Sequence, residues 1–327
     1  MGALVEGKWQ SRAPRARTRD GQFVRRDSQF RDWIDAGGET PFAPEAGRYH
    51  LYVSLACPWA HRTVIFRALK GLEEVIGLSV VDPYMGSDGW RFSDAPGCSP
   101  DAVNGARFLH QIYTLARLDY SGRVTVPVLW DAHAGAIVNN ESSEIIRMLN
   151  SAFDSLTGNR LDFYPAPLRA EIDAVNAEVY ANVNNGVYRA GFASRQQAYE
   201  QAFDALFATL DRIESRLEHQ RYLCGARLTE ADWRLFTTLI RFDAVYVGHF
   251  KCNLRRIADY PAVSSYLREL YQVPGVAATC NLDHIKSHYY RSHTTINPTG
   301  IVPKGPALDF AAPHDRARLP AQGWPAG

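Results

Sequence analysis

Strand-like patterning in this chain stops early, and nothing else in the sequence limits its fold so much. Before about residue 140 the apolar residues come in short runs, and after about residue 160 they recur at helical spacing. Residues 49–55, Tyr-His-Leu-Tyr-Val-Ser-Leu, partly alternate and read as a strand. Ala56, Cys57 and Pro58 follow, and proline suits the first turn of a helix. Val64, Ile65, Ala68, Leu69 and Leu72 then fall at helical spacing, with Gly71 at the expected stop. Residues 75–81 form a second apolar strand, which completes a βαβ unit. Residues 124–130 read as a third strand with Pro127 inside it; proline cannot donate to a ladder, so it belongs at an edge or a special bend. Residues 136–138 are the expected hairpin partner, and Glu141 and Ser142 open a helix that runs through Leu149.

The connection over residues 82–122 is long, loop-like at Gly86, Gly89, Pro96, Gly97 and Pro100, and mildly helical over 108–118. Insertions of that length are often functional. Beyond it, helices are predicted over 165–188, 194–219, 228–248, 260–272 and 275–288. Thr229 and Asp232 fit a capping box in which Asp stands in for the usual Glu or Gln, a purely structural device. The order βαβ–ββα followed by helices predicts the class α/β plus all-α, a thioredoxin-like domain joined to a helical bundle. The expected divisions are an irregular N-terminal arm at 1–46 held by aromatic side chains, a thioredoxin-like domain at 47–155 with insertion 82–122, an all-helical domain at 160–291, and a tail at 292–327.

Charge balance removes several function classes. With 36 basic and 35 acidic side chains in 327 residues, there is no electrostatic case for nucleic acid or a polybasic membrane contact. No window offers a membrane span, because the most apolar helical stretch carries Glu230, Asp232, Arg234, Arg241 and Asp243. The N-terminus lacks the apolar run of a secretory signal, and Asp20, Asp27 and Asp32 interrupt the Arg-rich pattern of a transit peptide. Five cysteines with no Cys-x-x-Cys pair favour a reducing compartment over a disulfide framework.

Cys57 is the one cysteine placed between a strand and the first turn of a helix. There, unpaired backbone N–H groups and the helix dipole favour an anion, so the site suits a nucleophilic thiolate. The position three residues on, where a dithiol oxidoreductase carries its second thiol, is Ala60. Any redox cycle must therefore pass through a mixed disulfide with an external thiol. Val126, before Pro127, would offer backbone groups to an extended thiol peptide. The N–H and hydroxyl of Ser142 at a helix start would receive a carboxylate, or simply cap the helix. Cys98, Cys224, Cys252 and Cys280 are expected to be structural. His284, His288 and His293 cluster near Tyr289, but Asp283 and His284 diverge on a helix. Pocket-lining or solvated positions are expected there, not a metal.

The stretches SLACPWAHRTVIFRALKGLE, VVDP with the segment ending at Trp90, GRVTVPVLWD, IVNNESSEIIRMLN, NNGVYRAGFA, LTEADWRLFTTLIRFDAVYVGHFKCN and HIKSHYYRSH to INPTGIVPKGP together resemble the glutathione transferase superfamily. More narrowly they are similar to the Xi-class glutathionyl-hydroquinone reductases, from about residue 7 to 310. The resemblance implies an all-helical glutathione-transferase C-terminal domain and Cys57 as nucleophile. It implies glutathione contacts from Trp90, from Arg123, Val124, Thr125 and Val126, and from Glu141 and Ser142. Tyr188 is implied as proton donor or acceptor, and Tyr246 and Tyr289 as hydrogen-bond donors to the thiolate. It further implies glutathione as co-substrate with no metal or flavin, aromatic glutathionyl-hydroquinone substrates, a homodimer and a cytoplasmic location. Two other readings use the same scaffold: an omega-like monothiol enzyme (a dehydroascorbate reductase or deglutathionylase) and a non-enzymatic interaction module.

Overall fold

The computed structural model describes residues 2–13 and 16–322; the outermost parts of the expected arm and tail, and residues 14 and 15, lie outside that range. In chain order the elements are β1 (Ala3–Val5), β2 (Lys8–Gln10), β3 (Tyr49–Val53), α1 (Pro58–Leu69), β4 (Ile76–Val80), α2 (Leu109–Ala116), β5 (Val128–Asp131) and β6 (Ala136–Asn139). The remainder is helical: α3 (Ser142–Ser151), α4 (Asp154–Thr157), α5 (Arg169–Val179), α6 (Gly186–Gly191), α7 (Gln196–His219), α8 (Glu230–Arg241), α9 (Val247–His249), α10 (Pro261–Gln272) and α11 (Leu282–Ser292). The chain forms two compact units. One is built mainly from Arg26–Leu161 and Ala278–Val302 together with β1 and β2; the other gathers Ala16–Arg25, Asp162–Ala277 and the segment from Pro303 onward.

In the first unit the sheet order is β4-β3-β5-β6, with β3 buried along its whole length. β3 runs parallel to β4, Tyr49 beside Ile76, which requires a crossover, and α1 supplies it. β5 is antiparallel to β3, Tyr52 facing Val128, and β6 is antiparallel to β5. The strand expected at 124–130 is shorter than predicted. Pro127 has no N–H to give, and the ladder begins only at Val128.

The arm is more regular than its sequence period implied. β1 and β2 pair as a hairpin, with Val5 opposite Lys8. Its turn is Glu6-Gly7, both at positive φ (48° and 73°), the geometry of a tight two-residue connection. Gly7 is required twice over, since a Cβ there would lie 1.9 Å from the Leu118 carbonyl oxygen. Strands of three residues are too short to show a period, so only the turn pair signals them.

In the second unit α7 and α8 carry the core, and every residue of α8 is buried. Thr229 caps α8, and Asp232 closes the expected capping box. The Asp232 carboxylate accepts from Leu223 N and the Tyr266 hydroxyl, each at 2.8 Å, and from Thr229 N at 2.8 Å and Thr229 Oγ1 at 3.1 Å. Burial pushes this carboxyl up to about 6, against the bonds that favour its charged form. The helix predicted over 275–288 is displaced: Ala277–Thr279 is a single 3₁₀ turn, and α11 starts after Asn281, whose side chain accepts His284 N at 2.9 Å. Gly275, at φ 89°, breaks the predicted run. No helix among the described residues is long and apolar enough to cross a membrane.

Removing the Asp232 carboxylate strands several buried donors at once. Asp232→Ala is expected to cost about 3 kcal/mol or more of stability. A thermal melt at neutral pH should show a midpoint several degrees lower; a midpoint within about 1 °C of the parent would contradict the role assigned to this box.

Candidate active site

Cys57 occupies the cap position of α1 in extended geometry (φ −80°, ψ 122°), with Pro58 opening the helix. Its carbonyl accepts His61 N at 3.0 Å, so the residue is already committed to the helix while its side chain lies outside the first turn. The thiol is half-buried, and its S–H donates to the Val126 carbonyl at 3.6 Å. All five cysteines are thiols. Burial raises the Cys98 thiol and pushes Cys224 up to about 12; it drives Cys252 up as well. Those three are therefore poor nucleophiles at neutral pH.

Val126 precedes a cis peptide bond to Pro127. Within the segment before it, Val126 is buried, Arg123 and Val124 are half-buried and Thr125 is exposed. The Arg123 guanidinium turns toward the arm and donates to the carbonyls of Gly2 (3.0 Å) and Ala13 (3.3 Å). Tyr113, from α2 in the long insertion, holds this segment. Its hydroxyl donates to Thr125 O at 2.9 Å and accepts from Thr125 N at 3.3 Å and Asn140 Nδ2 at 3.1 Å. One phenol thus ties the segment before Pro127 to the residue before Glu141. The sequence reading missed Tyr113, although an aromatic residue in a helical piece of a long insertion was the available signal.

Glu141 caps α3 with its own side chain, accepting Ser143 N at 3.1 Å, while its second oxygen accepts from Ser28 Oγ at 3.1 Å. The Ser142 hydroxyl accepts from Arg62 Nη1 at 3.4 Å. Arg62 lies one turn into α1, buried, with its guanidinium 4.6 Å from the Trp59 ring centre. It links the helix that carries the cysteine to the start of α3 and was also missed.

Trp90 is buried and stacked on His288, with ring centroids 4.8 Å apart and planes 22° apart. His288 Nδ1 lies 2.8 Å from the Pro83 carbonyl, as donor. His284 Nε2 donates to the Pro96 carbonyl at 2.8 Å, and Ser292 Oγ accepts Met85 N at 2.9 Å. All of these bonds run from α11 into the insertion. His284, His288 and His293 are buried, so the solvated alternative fails for all three. Tyr289, on the same helix, is buried with His293 packed edge-on at 5.5 Å.

Cys57, Trp90, Arg123, Val124, Thr125, Val126, Glu141, Ser142 and Tyr289 thus all belong to the first unit, and Tyr188 and Tyr246 to the second. Tyr188 and Tyr246 meet edge to face at 6.2 Å between centroids, both against Phe250. Each follows a helical irregularity. A π turn over Tyr180–Asn184 precedes α6, and a second over Phe242–Tyr246 ends on Tyr246 itself. The extra residue of a π turn rotates all later positions by about 100° relative to an unbroken helix. Uninterrupted 3.6-residue spacing therefore could not give the faces of these two tyrosines.

Residues 56–152 match the family model described as glutathione S-transferase, N-terminal domain, and residues 196–269 match that of the glutathione S-transferase C-terminal domain. The chain belongs to the glutathione S-transferase family. Among transferases of this family, it is 56% identical to glutathionyl-hydroquinone reductase PcpF of Sphingobium chlorophenolicum, over 94% of this chain and 97% of that one. It is 48% identical to a Xi-class transferase from Natrialba magadii, with a TM-score of 0.93 and 98% of both chains covered. It is 51% identical to Escherichia coli YqjG, solved with glutathione bound, with a TM-score of 0.89 over 97% of this chain and 99% of that one. The transferase fold found here and the thioredoxin-like unit agree with the class expected from sequence.

Tyr113→Phe deletes the hydroxyl that joins Thr125 to Asn140. It is expected to weaken glutathione binding roughly fivefold to tenfold, the equivalent of about one hydrogen bond. Calorimetric titration of the Cys57→Ser background with glutathione measures it, and an unchanged dissociation constant refutes the link between Tyr113 and this segment.

Proposed function

We propose that the protein reduces glutathionyl-hydroquinones to hydroquinones, with glutathione as reductant. The observation that carries this reading is the single thiol at the start of α1, directed at the carbonyl before Pro127, with Ala60 where a second cysteine would be needed to close an internal disulfide. Its relatives PcpF and YqjG carry the name glutathionyl-hydroquinone reductase, at 56% and 52% identity, which supports the choice of substrate.

In this reading the γ-glutamyl end of glutathione meets Glu141 and Ser142, and the cysteinyl backbone pairs with Val126. Arg123, Val124 and Thr125 shape that edge, and Trp90 covers the peptide. A proton is first added at the sulfur-bearing ring carbon, with Tyr188 as donor, and the ring takes its ketone form as it loses a hydroxyl proton. The Cys57 thiolate then attacks the glutathione sulfur. A sulfur–sulfur bond forms, the carbon–sulfur bond breaks, and its electron pair passes into the ring as an enolate. The enolate gains one proton and becomes the hydroquinone. A second glutathione thiolate attacks the mixed disulfide, releases oxidised glutathione and returns Cys57 as thiolate. Tyr246 and Tyr289 serve as hydrogen-bond donors to the sulfur anion. Protonation makes the carbon leaving group feasible, since an aryl carbanion leaves poorly. The reading carries with it a homodimer and a cytoplasmic location; the odd cysteine count and the lack of a Cys-x-x-Cys pair speak for a reducing compartment.

Mixing the protein with a glutathionyl-hydroquinone in the absence of free thiol should add one glutathione mass to Cys57 and release one hydroquinone. No adduct, or an adduct on another cysteine, refutes the mechanism. Tyr188→Phe is expected to lower turnover on the conjugate by about a hundredfold or more, while reduction of the Cys57–glutathione disulfide stays intact. Equal activity on both reactions would favour an omega-like thiol transferase instead.

A further inference from the structure

The N-terminal arm contributes more than packing. Residues Ala16–Arg25 belong to the second unit and fold into a small hairpin. Val24 N donates to Ala16 O at 3.0 Å, Thr18 N donates to Gln22 O at 3.0 Å, and Gly21 N closes the turn onto Thr18 O at 3.1 Å. The hairpin is fastened to the corner between α6 and α7. Gly21 O accepts Ser194 N at 3.1 Å and Ser194 Oγ at 3.3 Å, and Phe23 meets Phe192 edge-on at 5.4 Å. Gly21, at φ 87°, is strained for any side chain, and a Cβ there would fall 2.8 Å from both Ser194 Oγ and Arg195 Cγ.

The next residue out of this hairpin is Arg25. Its guanidinium carbon lies 5.1 Å from the centre of the Tyr188 ring and 5.6 Å from that of Phe23. Its Nε–H donates to Asn185 Oδ1 at 3.2 Å. Asn185 is itself fixed, because its N–H closes the π turn onto Tyr180 O at 2.8 Å. Asn185 and Tyr188 are three residues apart and share a helix face, so one guanidinium reaches both. The Tyr188 ring also meets Phe192, Phe250 and the ionisable Tyr246.

We propose that Arg25, delivered by the arm hairpin, is the electrostatic positioning residue for Tyr188: its charge over the ring face stabilises the phenolate left when Tyr188 gives its proton to the ring carbon of the substrate. A cation over a phenol face is favoured by the ring's own charge distribution, and more so once the ring is anionic. The proton moves from the Tyr188 hydroxyl to carbon, and the phenolate regains it from the hydroxyl the substrate loses on forming its ketone. Arg25 keeps its charge throughout, as arginine does. The inference rests on the assignment of Tyr188 as proton donor made above.

The test compares the parent, Arg25→Met, Arg25→Lys and Tyr188→Phe on 2-glutathionyl-hydroquinone, and separately on reduction of the preformed Cys57–glutathione disulfide. Arg25→Met is expected to lower kcat on the conjugate roughly tenfold and to move the alkaline limb of the pH profile up by about one unit, with disulfide reduction unchanged. Arg25→Lys, which keeps a charge, should recover most of the rate and the parental pH profile. Parental kcat and pH profile in Arg25→Met, with Tyr188→Phe strongly impaired, overturn the role of Arg25 and leave the reductase reading standing. Parallel losses in Arg25→Met and Arg25→Lys, affecting both reactions along with the melting midpoint, overturn it as well and reduce the residue to an anchor. A parent that does not turn over the conjugate removes the reductase reading itself.

Discussion

The candidate site of the first unit centres on the contact between the Cys57 thiol and the carbonyl of Val126. It joins two features of different origin. One is the cap of α1, where a strand buried on both faces hands over to a helix and leaves N–H groups without intrahelical partners. The other is the segment before Pro127, kept out of the sheet because proline has nothing to donate to the ladder. Each leaves backbone polar groups with work to do. Together they set one half-buried sulfur beside one peptide edge that lies outside the ladder.

Around that contact, the supporting residues come from far along the chain. Tyr113 ties the Thr125 backbone to Asn140, Arg62 joins α1 to Ser142, and α11 pins the insertion through His284, His288 and Ser292. The long insertion is therefore not a loose excursion. Its helix braces the segment before Pro127, and its Trp90 is backed by a histidine ring from residue 288. Such outer support fixes the geometry of the groups it braces. In the second unit, two π turns set the orientation of Tyr188 and Tyr246, and the arm hairpin lays a guanidinium across one of them.

Much of the scaffold was legible in local pattern. The βαβ unit, the helical second half, the capping box at Thr229 and Asp232, and Cys57 at a helix start all follow from spacing and from the chemistry of a few residues. The misses have separate causes. The β1–β2 hairpin is too short to show a period. The last helix moved because Asn281 supplied a cap that a run of helix formers does not reveal. His284 and His288 are buried against carbonyls about two hundred residues away in sequence.

The sequence by itself determined that one cysteine would stand at a strand-to-helix junction without a second thiol to pair with, and that a helical unit would follow, because both are consequences of neighbouring residues and short-range periodicity. The tertiary structure alone decided that Tyr113 would reach Thr125, that Trp90 would stack on His288, and that Arg25 would lie over Tyr188. Those pairings join residues separated by long stretches of chain, and a π turn redirects even the local helix face. No spacing rule carries such information, since packing selects each pair only once the two units have formed.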